Sequence, residues 1–452
     1  MTQHLDWDSE VDVVVVGGGA AGLMTALRAA ANPDLVVAVF EKSTQGGCNA
    51  AISSGSLAAG GTRFQAAAGI VDSPAQHAAD IIAANGDEGW RPVIEALCEV
   101  APALVEWVAD SGYPIEIGTD MPRAGMSVPR LHTDVGRLGG GRLMRHLRDL
   151  AEACDNIAFV DEAPVVELVT ASSTHGSTGV AGVVVEQNGT RQRVGASAVV
   201  LASDGFANSP TLVAEHLAHL GAPFYGGVST STGDALTMTA AAGLDVALRN
   251  MGAGLRSGLV VVDYGTRVSP ALPFNGAVLV NTDGQRFVDE ESKGYSSMAG
   301  VLQGQPGERA TMIWDETAMA ATRESEMMRE CDAAGAFRHA ATLADLATAL
   351  GLPLDDVATA LAPRDGRRAL EAPFHYATVT HGLLTTQGGL VIDTAGRVLT
   401  SSGTPVPGLY AGGGAACGLA GSHSDGYMSG NGLLSAFGMG WIVGNALAAA
   451  GV

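Results

Sequence analysis

Four consecutive valines, Val13–Val16, make the first apolar run of the chain, and Gly17, Gly18 and Gly19 end it. A short β-branched run bounded by glycine predicts a buried strand. The pattern then changes, and Ala20 to Ala30, rich in Ala and Leu, predicts a helix. A second apolar run, Leu35–Phe40, closes on Glu41. Residues 75–84 and 93–108 carry apolar positions at helical spacing. Short apolar runs broken by polar turns predict strands at Ile157–Val160, Val165–Val169, Val180–Glu186 and Ala198–Ala202. Residues 231–246 read as a turn, STGDA, followed by a helix. From about 250 to 374 the texture differs: strands at Leu259–Val262 and Ala277–Asn281, then a helical, more charged stretch over 315–362. Valine and glycine return at Gly388–Asp393 and persist to the end.

This order predicts an α/β fold. A Rossmann-like domain over 1–248 and 376–452 is interrupted by an inserted segment over 249–375. Gly17, Gly19 and Gly22 fit the G-x-G-x-x-G spacing, in which glycines permit a tight turn, close approach of a pyrophosphate, and packing of helix on strand. The helix start offers free N–H groups to phosphate oxygens. Glu41, 41 − 22 = 19 residues after Gly22, stands where an acid accepts ribose hydroxyls. Strand, glycines, helix, strand and acid in this order predict a bound dinucleotide.

Net charge is −22, which disfavours nucleic acid and anionic membrane surfaces. The 5 cysteines are widely spaced, with no C-x-x-C or Cys/His cluster, so neither a metal site nor a disulfide framework is expected. The acidic start MTQHLDWDSEVD has no basic-then-apolar leader pattern, and a reducing cytoplasm is the expected location. Residues 432–452 carry no charge over about a membrane's length. Their five glycines, an Asn and the lack of a basic flank favour a buried helix of the nucleotide domain over a membrane span.

Further segments narrow the reading. They are KSTQGGCN at 42–49, SVPRLH at 127–132, STGDA at 231–235, LVNTDGQRFVDEE at 279–291, TQGGLVID at 386–393 and GLYAGGGAACGLAGSHSDGYMSGNGLLS at 408–435. Their sequence and order resemble the succinate dehydrogenase/fumarate reductase flavoprotein superfamily. The resemblance implies FAD in the nucleotide domain, an α+β capping domain as the insert, and hydride transfer between a substrate carbon and the flavin. It places Gly17, Gly19, Gly22 and Glu41 on the ADP half of the cofactor, and Lys42, Gly46 and Gly47 along the ribityl and pyrophosphate stretch. Gly412 and Gly413 let a strand approach the cofactor, and Asn431, Leu433, Leu434 and Ser435 open a last helix toward the flavin. Ala21, Ser43, Cys48, Ala163, Val165, Ala202, Asp204 and Gly205 complete the expected cofactor contacts. The GGCN segment occupies the position where some relatives attach FAD through histidine, so non-covalent FAD is expected.

At three positions the chain departs from fumarate reductases. Where they carry an arginine in the cap, a histidine in H-T-M-G-G and a carboxylate-clamping arginine, this chain has Gly294, Thr385 and Tyr427. A dicarboxylate would go unpaired there, at a cost of several kcal/mol per charge. Tyr427-Met428-Ser429-Gly430 instead resembles the segment with which 3-ketosteroid dehydrogenases and related ketone desaturases hold a ketone oxygen. Removing a proton α to a ketone builds charge on that oxygen, which preorganised donors stabilise. Tyr427 and Ser429 are the expected donors and Tyr295 the expected base, with Arg130, His132 and His423 as further substrate contacts. The resulting expectation is a dehydrogenase placing a C=C bond next to the carbonyl of a small cyclic ketone such as 4-oxocyclohexanecarboxylate. A 3-ketosteroid substrate, or an enone or enoate reductase running the reverse direction, is the alternative. Oxygen, a quinone and an electron-transfer protein all stay open as electron acceptor.

Overall fold

A computed structural model describes residues 5–86, 89–119, 125–136, 139–172, 178–221, 223–291, 295–364, 366–421 and 426–451, apart from the side chains of Tyr295 and Glu326. The chain divides into two compact units. The larger comprises Met1–His219, Gly227–Gly254 and Thr385–Val452, and the smaller Leu220–Gly226 and Leu255–Leu384.

The larger unit is built on a parallel sheet. Its strands lie in the order Pro405–Ala411, Thr190–Leu201, β1 (Ser9–Val16), β2 (Val37–Phe40) and Ile157–Val160. Val13 pairs with Val37 on one side and Ala198 on the other, and Val16 with Phe40 and Leu201. All four valines are buried. Central strands of a parallel sheet are covered on both faces, so an unbroken apolar run is what β1 needs. Each fully buried valine contributes roughly 1.5–3 kcal/mol. Thr178–Gln187 pairs antiparallel with Thr190–Leu201, and Val165–Ser172 pairs antiparallel with Thr178–Gln187. The strand Thr190–Leu201 starts eight residues before the expected Ala198, because its polar first four residues, TRQR, lie outside the apolar run.

Helix α1 (Ala20–Ala29) follows the glycine turn, and the closing helix Asn431–Ala450 packs along it. Two glycines one turn apart allow this. A side-chain carbon on Gly440 would lie 2.5 Å from the Ala21 carbonyl oxygen, and one on Gly444 would lie 2.6 Å from that of Thr25. The closing helix is long and apolar enough to cross a membrane by length and composition, yet its apolar side chains are used against α1 and the helix Arg91–Asp110.

The smaller unit is centred on one long strand, Phe374–Thr386. It pairs with Arg309–Asp315, Gly254–Val261, Arg338–Ala340 and Phe224–Tyr225, and Val278–Val280 completes the sheet beyond Arg309–Asp315. Alternate residues face two separate cores. Leu279, Met312 and Trp314 pack with Met298, Leu302 and Met328, while Val278, Val280 and Ile313 pack with Leu346 and Val357. The expected helical stretch 315–362 holds four helices, interrupted by the strand Arg338–Ala340. The central strand is absent from the sequence expectation. Its apolar run is broken by His375 and His381, which are buried all the same because each ring faces a glutamate, Glu316 and Glu308, at 2.9 Å.

Candidate functional site

The glycine turn after β1 is shaped by close approach. Gly17 has φ +105°, a conformation that L side chains rarely adopt, and an added carbon would sit 2.5 Å from the Ala202 carbonyl oxygen. An added carbon on Gly22 would lie 1.9 Å from the Gly17 carbonyl oxygen, so α1 reaches the strand only with glycine there. Gly19 caps α1 without a side-chain hydrogen bond, which leaves the first-turn N–H groups available for an anion. Glu41 accepts from the Gly18 N–H at 2.8 Å and the Ser43 N–H at 2.9 Å. Both carboxylate oxygens are thus fixed by the backbone, and each keeps a lone pair for a ribose hydroxyl.

Other expected cofactor residues gather around this turn. A carbon on Gly413 would be 3.2 Å from Ala21 Cβ and 3.7 Å from Ala436 Cβ, so the Gly412–Gly413 segment meets the start of α1 and the start of the closing helix. The Ala163 N–H donates to the Glu41 carbonyl oxygen at 2.9 Å, which ties the segment before Val165 to the acid. Asp204, at φ +64°, accepts from Asn49 Nδ2 at 2.6 Å and from the Ser231 hydroxyl. Lys42 Nζ lies 2.7 Å from both Asp234 Oδ2 and Thr232 Oγ1, so its charge is spent on the STGDA turn. Cys48 lies beside Gly19, and burial pushes its thiol up to about 11, so it stays protonated at neutral pH.

Tests of fit come from the closing helix. Asn431 is buried, and neither atom of its amide has a hydrogen-bond partner among the described residues. A buried amide left unpaired costs on the order of 1–3 kcal/mol, and a polar ligand at the helix start removes that cost. Gly430 supplies no side-chain cap. One early N–H of the helix is satisfied, since Gly432 donates to the Tyr427 hydroxyl oxygen at 3.1 Å. The residues present fit a dinucleotide with a polar ring system at the closing helix.

Comparison with known proteins decides the family. Residues 12–433 match the FAD binding domain family model. The chain belongs to this family, within the succinate dehydrogenase/fumarate reductase flavoproteins. A fumarate reductase (cytochrome) of Shewanella frigidimarina is 28% identical over 439 residues, covering 91% of this chain and 73% of that protein. Among solved structures, the open conformation of a flavocytochrome c3 fumarate reductase superposes with TM-score 0.80 at 25% identity, over 98% of this chain and 78% of that one. The 3-ketosteroid-Δ4-(5α)-dehydrogenase of Rhodococcus jostii RHA1 superposes with TM-score 0.74 at 26% identity, over 99% and 98% of the two chains. Like these FAD-binding relatives, the protein is an FAD-dependent oxidoreductase acting on CH–CH groups.

For this family member the structure places the expected substrate residues unequally. Arg130 is fully buried. Its Nε and Nη2 bind the Asp72 carboxylate at 2.7 and 2.9 Å, and Nη1 binds Asp80. Burial alone would raise the Asp80 carboxyl, but the Arg130 guanidinium outweighs it and holds the group at about 2. Both hydrogen-bonding edges of Arg130 are therefore occupied within the protein. His132 is buried as well. Its Nδ1 lies 2.9 Å from the Arg130 carbonyl oxygen and must donate, so Nε2 accepts from the Thr62 hydroxyl at 2.8 Å. Burial pushes His132 down to about 4, and the ring is neutral at physiological pH. Arg130 and His132 form a buried polar knot rather than an exposed contact surface. Tyr427 is half-buried, and Ser429 sits in the turn between it and the closing helix. Tyr295 opens the helix Tyr295–Gln303 of the smaller unit, and its side chain lies outside the described residues, as do His423 and Gly294. Sequence reasoning missed Asn49 and Ser231 as partners of Asp204. It also missed Thr386, whose hydroxyl accepts from the Phe206 N–H at 3.1 Å. Both STGDA and TQGG were in view as motifs, but their hydrogen-bond partners lie far away in the chain.

Proposed function

We propose that this protein desaturates a small cyclic ketone at the bond α,β to its carbonyl, with FAD held non-covalently in the larger unit. The observation that carries the reading is the Gly432 N–H donating to the Tyr427 hydroxyl. A hydroxyl that accepts a hydrogen bond becomes a stronger donor through its own proton, and a helix start adds positive potential. Tyr427 is thereby suited to donate to a ketone oxygen as charge grows on it. Ser429 supplies the second donor, and Tyr295 takes the α-proton. Bound FAD supplies the acceptor for the hydride that leaves the β-carbon. A tyrosine at 427 and an Arg130 already committed to two aspartates both weigh against a dicarboxylate. The reverse reaction, reduction of an enone or enoate by electrons from a partner, is the second reading. It is favoured by the relative and the neighbour named as fumarate reductases.

The test is anaerobic addition of cyclohexanone, 4-oxocyclohexanecarboxylate or 4-androstene-3,17-dione to the yellow protein. Bleaching by a saturated ketone supports desaturation. No bleaching by any ketone, together with reoxidation of the chemically reduced protein by an enone, supports the reductase. Tyr427→Phe is expected to lower turnover by roughly 10²–10³ while FAD stays bound, the loss of one oxyanion donor. Unchanged turnover removes Tyr427 from the mechanism.

A further inference from the structure

Asn85 ends the helix Pro74–Asn85, far in sequence from the glycine-rich segment that leads to Tyr427. It is 2% exposed. Its Nδ2 donates to the Leu419 carbonyl oxygen at 2.9 Å. The same residue meets the other end of that segment. A side-chain carbon on Gly426, the residue before Tyr427, would lie 3.1 Å from Asn85 Cα and 3.2 Å from Asn85 Cβ. A side chain at Gly426 would be tight against Asn85, so the backbone entering Tyr427 lies close beside it. A second asparagine holds the carbonyl next to Leu419. Asn250, at φ +53°, donates from Nδ2 to the Ala420 carbonyl oxygen at 3.2 Å and lies 3.6 Å from Cys417 Sγ. Leu419 and Ala420 are each 1% exposed, so these carbonyls have no water to replace the amides. An asparagine amide suits the place, because only its NH₂ end can satisfy a carbonyl while the side chain stays short.

We infer that Asn85, assisted by Asn250, is a positioning residue that sets the place of the Tyr427 phenol by packing against Gly426, the residue before it, while its amide is held on the Leu419 carbonyl. The inference rests on the reading in which Tyr427 holds the substrate carbonyl. It assigns no contact between Asn85 and substrate or cofactor. Replacing the amide by a carboxylate keeps the volume and sets an acceptor against the Leu419 carbonyl, which pushes the segment away.

The experiment uses FAD-loaded protein labelled with 3-fluorotyrosine, in which the Tyr427 resonance is assigned by its loss in Tyr427→Phe. In Asn85→Asp that ¹⁹F resonance is expected to shift and broaden while the other tyrosines hold their positions and FAD content is unchanged. With the ketone that best bleaches the flavin, kcat is expected to fall about tenfold with little change in KM. Asn85→Asp added to Tyr427→Phe is expected to cost nothing further, since both act through one hydroxyl. An unmoved Tyr427 resonance overturns the inference, as does an additive tenfold loss in the double variant, which would place the action of Asn85 elsewhere. Full activity in Tyr427→Phe overturns the functional reading and the inference with it, and that outcome is recognised from the single variant alone. Should Asn85→Asp not fold, Asn250→Asp carries the same expectations for resonance, kcat and the double variant.

Discussion

The sheets of the two units solve the same problem with different chemistry. In the larger unit the second half of β1, Val13–Val16, is an unbroken row of buried valines, paired on both sides by the apolar stretches Val37–Phe40 and Ala198–Leu201. In the smaller unit the central strand Phe374–Thr386 is equally buried but contains His375 and His381, each matched to a glutamate at opposite ends of the neighbouring strand Arg309–Asp315. His375 also lies under Trp314, with ring planes 13° apart. Apolar burial needs no partner, and the buried centre of the first sheet, Val13–Val16 with Val37–Phe40 and Ala198–Leu201, carries no polar side chain. The second sheet pairs the Nε2 of each buried histidine with a glutamate that reaches water, since the Glu308 and Glu316 side chains are about half exposed. One can therefore be read from residue type alone and the other cannot.

Substitutions sharpen this contrast. The largest effect is expected for Val14→Asp, which places a carboxylate with no partner in a site of 0% exposure. A loss on the order of 5 kcal/mol in urea unfolding, or failure to accumulate folded protein, is expected. A loss below about 1 kcal/mol would show that the apolar sheet accommodates charge as the smaller unit does.

Next comes acid. The larger unit hides its own polar knot, in which His77 and His132 are both pushed down to about 4, chiefly by burial. Neither nitrogen of His77 has a hydrogen-bond partner among the described residues. A histidine with a folded value near 4 and an unfolded value near 6.5 binds its proton more readily unfolded. Its contribution to stability is complete above about pH 6.5, is lost as pH falls toward 4, and does not change below that. Between pH 7.5 and pH 5, each histidine is expected to cost about 2 kcal/mol of unfolding free energy. His77→Gln should remove about half of that slope. An equally steep profile in the variant would locate the acid sensitivity elsewhere.

A smaller effect tests the closing helix. Gly444→Ala puts a carbon 2.6 Å from the Thr25 carbonyl oxygen and Arg28 Cβ. The helix must move, at about 1–3 kcal/mol, with weakened FAD retention on gel filtration as the readout. The smallest effect is expected in the other sheet. His381→Leu removes a ring whose Nδ1 has no partner among the described residues and leaves a glutamate already in contact with solvent. A change within about 1 kcal/mol is expected. A loss as large as that of Val14→Asp would mean that the histidine–glutamate contacts hold the smaller unit together.

Legibility in the sequence follows the same division. The β1–α1–β2 unit, the acid at 41 and the closing helix were all readable, because local backbone demands and apolar runs act between near neighbours. Gly17 must be glycine for its φ, and Gly22 for its approach to a residue only five positions away. The central strand of the smaller unit was not readable. Its polar residues are acceptable only because Glu308 and Glu316 stand opposite them, and nothing within the segment announces that. Arg130 looked available for a ligand until Asp72 and Asp80, which are 58 and 50 residues distant, were seen to enclose it.

From the sequence alone came the dinucleotide fold, which depends on residue types at fixed short spacings where steric limits leave little choice. The flavin, and tyrosine where fumarate reductases have an arginine, came from the resemblance of the chain's motifs to a family. Only the folded chain revealed which polar side chains are already satisfied, that Gly432 donates to the Tyr427 hydroxyl, and that Asn85 packs against the segment before it. A hydrogen bond is a matter of a few tenths of an ångström between groups that may be hundreds of residues apart, and only tertiary packing sets such distances.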